Sequence, residues 1–132
     1  MRGKNLIHRD LKPGNILLAT DEDMPRLKVA DFGYARYIQP QAMAQTHLGT
    51  PLYMAPEVFA PPHQYDSKAD LWSVGCILYE MLVGRVPYTA QSQMALFQLI
   101  ESQPVTFPKD VILSDSCKVC SLDLCVFFFF FQ

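Results

Sequence analysis

The run from Lys68 to Val83 constrains this chain more than any other stretch. Ser67 is a good N-cap before it and Gly84 a good stop after it, so the run reads as one long helix. Its apolar residues, Ala69, Leu71, Trp72, Val74, Cys76, Ile77, Leu78, Met81, Leu82 and Val83, leave hardly any polar face. A helix apolar nearly all round belongs in the middle of a core, with other elements on every side. A length of 132 residues is enough for one ordinary domain with a real core.

The remaining pattern is short and mixed. Gln91 to Ser102 predicts a second, more amphipathic helix through Met94, Leu96, Phe97, Leu99 and Ile100, with Pro104 and Pro108 bounding the segment after it. Near the start, the apolar runs Leu6-Ile7 and Ile16-Leu17-Leu18 flank a charged loop. Thr20 to Pro25 reads as a polar turn and Leu27 to Ala30 as a short strand. The expected result is a hairpin that presents functional residues at its strand ends. Tyr34 to Met54 has no sustained periodicity, and loops of about that length are usually functional or disordered.

Composition removes several classes of function. Half the residues are apolar, 18% are charged, and the net charge is −2 with no basic block. That leaves no electrostatic footprint for nucleic acid or an anionic membrane. The longest apolar stretch, Leu124 to Phe131, is far short of the roughly 20 residues a membrane span requires. Met1-Arg2-Gly3-Lys4 precedes only two apolar residues, so no secretory leader is expected, and a cytoplasmic location with reduced thiols is. Cys76, Cys117, Cys120 and Cys125 fit that reading. Cys117-x-x-Cys120 alone is a weak metal signal, because four-ligand sites usually need a second pair.

The chemistry concentrates in residues 8–33. Asp10, Asn15 and Asp31 are oxygen donors of the kind Mg²⁺ prefers, and Lys12 is a cation close to them. Around a hairpin, such a set can hold metal ions while a neighbouring carboxylate orients a hydroxyl. A polar turn with scattered Asp and Asn is the bland alternative, and for any single residue it would win.

The ordered set outweighs it. His8-Arg9-Asp10-Leu11-Lys12-Pro13-Gly14-Asn15, then Asp31-Phe32-Gly33, then Ala55-Pro56-Glu57, resembles the catalytic loop, metal loop and activation-segment end of a eukaryotic serine/threonine protein kinase domain. A fourth block, Asp70-Leu71-Trp72-Ser73-Val74-Gly75, is similar to that domain's central helix. The implied fold is mainly α with a short β-hairpin: the C-terminal lobe of a protein-kinase-like (α+β) fold, incomplete, over residues 1–118. Asp31-Phe32-Gly33-Tyr34-Ala35-Arg36-Tyr37, Met54 to Val58 and Tyr65 to Ser73 further resemble the unc-51-like kinases that initiate autophagy.

The resemblance implies roles residue by residue, with ATP and Mg²⁺ as cofactors. Asp10 would orient the substrate hydroxyl and accept its proton, Asn15 and Asp31 would hold two Mg²⁺ ions, and Lys12 would offset charge on the transferring γ-phosphate. Thr50 would bond Asp10 and Lys12 and, like Lys12, points to Ser/Thr specificity. Leu17, with Ile16 and Leu18, would lie beneath the adenine. His8 and Phe32 would pack rather than react, and Glu57 would pair with a distal arginine. Asp70 would hold the catalytic-loop backbone, since a buried Asp needs hydrogen-bond partners. Arg9 would bind a phosphate on Thr46, making Thr46 the activating site of an upstream kinase.

The sequence departs from the family pattern at both ends. No Gly-rich phosphate loop, strand lysine or partner glutamate is present, so this stretch alone is expected to bind ATP poorly and to show little activity. With neighbours of the long helix missing, exposure of about 400 Å² of apolar surface would forfeit about 10 kcal/mol, so the isolated stretch is expected to aggregate or stay partly molten. Residues 119–132 open on a valine and close on five phenylalanines and a glutamine, which fits translated intron; a hydrophobic partner-binding tail and a core strand are the alternatives. The leading expectation is a kinase that phosphorylates Ser/Thr hydroxyls of protein substrates. Its rival is a non-catalytic lobe that docks partners through helix 92–102 and the activation segment. A small-molecule kinase is disfavoured by the long segment ending in Ala55-Pro56-Glu57.

Overall fold

Among the described residues, two antiparallel strands and two long helices form the frame. The computed structural model describes residues 8–32, 52–58 and 67–118. Strand β1 (Ile16–Leu18) pairs with β2 (Leu27–Val29), Ile16 opposite Val29 and Leu18 opposite Leu27. Branched apolar residues suit the pleat, and the polar stretch between them turns the chain. Ala19 N donates to Arg26 O over 2.8 Å and Ala30 N to Asn15 O over 2.8 Å, extending the ladder at both ends. A 3-10 turn, Pro13–Asn15, leads into β1, with proline at the helical entry where its missing N–H costs nothing.

Helix α1 (Ser67–Val83) follows the predicted run. Gly84 ends it at φ 81° with its N–H on Glu80 O over 2.7 Å, a left-handed stop that glycine adopts without a Cβ clash. The capping role expected of the Ser67 side chain lies outside the described residues. Helix α2 (Gln93–Ser102) begins two residues later than the sequence suggests. Ser92 is its N-cap, extended, with Oγ accepting from Ala95 N over 3.2 Å. Apolar periodicity starts at Met94 and carries no information about the cap, which explains the offset.

The core lies between α1, α2 and the turn Pro56–Val58. Trp72, Cys76 and Leu96 are its largest fully buried side chains, joined by Ala55, Val58, Ala69, Tyr88 and Ile100. Trp72 stacks on Tyr88 with ring centroids 6.5 Å apart. Tyr79 stacks on Phe107 at 5.1 Å, and its hydroxyl donates to Thr106 O over 2.9 Å. Tyr88 Oη donates to Gln103 O over 2.6 Å. Both tyrosines place an apolar ring inside and spend the hydroxyl on a carbonyl, which ties the chain after α2 to the core.

The all-round apolar pattern expects a helix covered on every side, and the missing neighbours expect part of its surface to be exposed. Among the described residues α1 is not fully enclosed: Leu71, Val74 and Met81 are exposed, Met81 at 78%. These residues recur at helical spacing, so one face packs the core and the opposite face lies open. Hydropathy reports how apolar a face is, not what covers it. Of the loop expected over Tyr34 to Met54, residues 34–51 lie outside the described residues, as does the tail 119–132.

Candidate active site

The candidate site is assembled where β1 begins and β2 ends. Asn15, the last residue of the 3-10 turn, is buried. Its Nδ2 donates to Asp10 O over 2.7 Å and to Asp10 Oδ2 over 3.1 Å. Two acceptors on one side fix the amide's orientation and turn Oδ1 the other way. Lys12 Nζ donates to the same Asp10 Oδ2 over 2.9 Å. The Lys12 and Asp10 side chains are 47% and 30% exposed, and an ion pair that wet adds little to stability. Its effect is to orient the carboxylate. Oδ2 of Asp10 thereby accepts from both side chains.

Asp31 follows the end of the sheet. The bond from Ala30 N to Asn15 O sets the end of β2 beside the Asn15 backbone, and Asp31 comes directly after. Asp31 is exposed and sits at φ 59°. Few residues with a Cβ adopt that region, but a short polar side chain tolerates it. Carboxylate and carboxamide oxygens are hard donors of the kind Mg²⁺ takes.

Arg9 is the second left-handed residue, at φ 69°. Such backbone costs of order 1 to 3 kcal/mol and persists only where its surroundings hold it. Here the holder is Asp70 in the first turn of α1. Asp70 Oδ2 accepts from His8 N over 2.7 Å and Asp70 Oδ1 from Arg9 N over 2.9 Å. Both carboxylate oxygens are thereby used, and two loop amides are satisfied. His8 Nε2 lies 3.0 Å from Ala30 O; a carbonyl only accepts, so the ring proton is on Nε2. Phe32 meets the His8 ring edge-on at 5.0 Å. His8 thus touches α1, the end of β2 and the residue after Asp31 at once.

The structure brings Asp10, Lys12 and Asn15 together and sets His8, Arg9, Phe32 and Asp70 around them. Leu17 is exposed on β1. Glu57 is half-buried in the turn Pro56–Val58, away from this group in sequence. Thr46 and Thr50 lie outside the described residues. Cys117 is an exposed free thiol. Sequence reasoning missed Tyr53, Ser73 and Glu80. Ser73 Oγ donates to Tyr53 O over 2.7 Å, and Tyr53 Oη donates to Glu80 Oε2 over 2.6 Å. Burial first, then the bond to Glu80 and its charge, push the Tyr53 phenol up to about 12. The available signal was the spacing of Asp70, Ser73 and Glu80, polar residues on one side of an otherwise apolar helix.

Known proteins match this sequence. The family model for the protein kinase domain covers residues 1–121. The serine/threonine-protein kinase ATG1b of Arabidopsis thaliana is 52% identical over 127 residues, 95% of this chain. ATG1c of the same plant is 51% identical over 93% of the chain, and atg1 of Dictyostelium discoideum 45% identical over 89%. The chain spans only 16% to 17% of the length of these three relatives. No helix among the described residues is long and apolar enough to cross a membrane. Ordered motifs, site geometry and these likenesses lead to one assignment: the chain belongs to the protein kinase domain family, and the relatives it resembles are serine/threonine-protein kinases.

Proposed function

We propose that this chain is the C-terminal-lobe portion of a cytoplasmic kinase that transfers the ATP γ-phosphate to Ser/Thr hydroxyls of proteins. The observation that carries the reading is the Asp10 carboxylate, held through Oδ2 by Lys12 and Asn15. Asp10 orients the substrate hydroxyl and takes its proton at Oδ1. Lys12, on the same oxygen, is close enough to offset charge on the transferring group. Asn15 Oδ1 and the Asp31 carboxylate are the donors that would hold Mg²⁺, which when bound neutralises phosphate charge. Leu17 offers an exposed apolar surface at the strand edge for a purine ring.

Thr50 is placed in the same reading as a partner of Asp10 and Lys12 on the substrate side, and Thr46 as the phosphosite read by Arg9. The likeness to the ATG1 kinases supports placing the protein among the unc-51-like kinases of autophagy. The test is phosphate transfer from labelled ATP by the full-length protein to a peptide mixture containing Ser, Thr and Tyr acceptors. Label on Ser and Thr, lost on chelating Mg²⁺ and reduced roughly a thousandfold by Asp31→Ala, is the expected result. No transfer, together with partner capture insensitive to Asp31→Ala, would replace this reading with a docking module.

A further inference from the structure

We infer that Lys28 is a nucleotide-contacting residue, its ammonium set against the base-and-ribose end of ATP on the face of the β1–β2 sheet that also carries Leu17. The inference rests on the kinase reading and deepens it by adding a residue to the nucleotide subsite.

The register of the hairpin places the two side chains together. Leu17 and Lys28 are partners in the antiparallel ladder. The bonds from Ala19 N to Arg26 O and from Ala30 N to Asn15 O mark those flanking pairs as hydrogen-bonded ones. Leu17–Lys28 lies two steps from each and is a pair of the same kind. Residues directly opposite share a face, with Cβ atoms about 4.5 to 5.5 Å apart. Ile16, Leu18, Leu27 and Val29 alternate onto the other face. One face of the sheet is therefore wholly apolar, and the other sets one leucine beside one cation. Lys28 is the one charged residue of the two strands.

That mixed face is suited to a particular kind of occupant. Leu17 and Lys28 are both exposed, Leu17 at 52%. The salt bridges of the described residues are Lys12–Asp10 and Lys118–Asp115, so Lys28 has no carboxylate partner among them. Another apolar layer packed on this face would strand the ammonium away from water without a partner. A flat ring with acceptor atoms round its edge suits both residues at once. Its face covers Leu17 and the lysine stem, while the ammonium at the rim donates to a ring nitrogen or a ribose oxygen. A purine nucleoside is such a ligand.

Position along the strand decides which end of the nucleotide Lys28 meets. Asp31 is three residues further on, about 10 Å at the rise of an extended strand. A lysine side chain spans only part of that distance. Lys12, bonded to the Asp10 carboxylate, already serves the phosphate end. The two lysines thus stand at opposite ends of the ligand, one beside the transferring group and one beside the base.

The test separates this contact from a structural role and from the kinase reading. Lys28→Met keeps the apolar stem and removes the charge; Lys28→Arg keeps the charge. In the full-length protein, Lys28→Met is expected to raise the KM for ATP and the inhibition constant of adenosine by the same factor, about three- to tenfold. The peptide KM and the nucleotide-free melting midpoint stay at their wild-type values, and Lys28→Arg recovers most of the loss. Adenosine has no phosphate, so an equal loss identifies the base-and-ribose end. An unchanged ATP KM, or a melting midpoint that falls in step with affinity, would overturn the contact. A loss for ATP without a loss for adenosine would move the ammonium to the phosphates and overturn its placement. Direct titration of adenosine covers the remaining case. Binding weakened by Lys28→Met in a protein that transfers no phosphate would keep the contact and sink the kinase reading, whereas wild type binding neither adenosine nor ATP would sink both.

Discussion

The hairpin end and the helical body of this molecule are held together by different physics. In the body, Trp72, Cys76, Leu96 and Ile100 pack into a closed cluster with the turn Pro56–Val58. At the hairpin, Leu17, Leu18, Leu27 and Val29 are exposed, Leu18 at 66%, and among the described residues there only His8 and Asn15 are buried. Position there comes from directional bonds: Asp70 to two amides, Asn15 to Asp10, His8 to Ala30. Apolar packing supplies free energy but tolerates small rotations. Hydrogen bonds supply less net energy but fix direction. The candidate site, with the Asp10 carboxylate held in direction, is built from the second kind, on a scaffold stabilised by the first. Mutations in the two regions should therefore fail in different ways.

The largest effect is expected from Trp72→Ala. Trp72 is 1% exposed and stacks on Tyr88, so the change opens a large cavity between α1 and α2. A loss of about 3 to 5 kcal/mol is expected, a large part of a domain's stability. Denaturant midpoint and soluble yield of the full-length protein would show it. Molecules that remain folded should keep normal kcat. A cost below about 1 kcal/mol would mean that the body does not depend on this core.

Asp70→Ala reverses the pattern. The change removes little apolar area, yet strands the His8 and Arg9 amides and releases the left-handed turn at Arg9. About 1 to 3 kcal/mol of stability should go with the unsatisfied donors. Activity per folded molecule should fall further, roughly ten- to a hundredfold, because Asp10 adjoins the released turn. Asp70→Asn, which keeps one acceptor oxygen, should fall between. Steady-state kinetics normalised by active-site titration decides the matter. Activity falling only in step with the folded fraction would erase the distinction between the two regions.

The sequence was informative where the physics is local. Gly84 marks the end of α1 because only a left-handed residue closes it there, and Thr20 to Pro25 marks the hairpin turn by composition. The amphipathic run through Leu96 and Ile100 shows α2 because its periodicity and its burial coincide. The proximity of Asp10, Lys12 and Asn15 arises from their lying within one turn of chain. What periodicity could not show is tertiary. Nothing in the run Lys68 to Val83 says which face stays open, so Leu71 and Met81 read as core. Ser73 and Glu80 carry no motif, and their partner Tyr53 lies 20 and 27 residues away. The left-handed backbone at Arg9 is invisible in composition, since arginine has no preference for it; the Asp70 carboxylate imposes it from the far side of the chain.

The smallest predicted effect isolates a polar bond that has no part in aiming the site. Ser92 caps α2 through a bond of 3.2 Å from Ala95 N, at the surface and on the body side of the molecule. Ser92→Ala removes the acceptor and leaves one more N–H of the first turn to water. Losses of this kind run to about 1 kcal/mol. Ser92→Asp should retain the bond and add a favourable charge at the positive end of the helix, matching or slightly exceeding wild type by a few tenths of a kcal/mol. Neither change should alter kcat or KM, because the cap serves the packing of α2 on the core and not the bonds that hold Asp10. Thermal melts of the two variants beside Asp70→Ala give the comparison its sharpest form. If Ser92→Ala changed turnover as Asp70→Ala does, polar bonds in the body would be steering the site too. If it changes only the midpoint, aim and stability are separable, and Asp70 is where they meet.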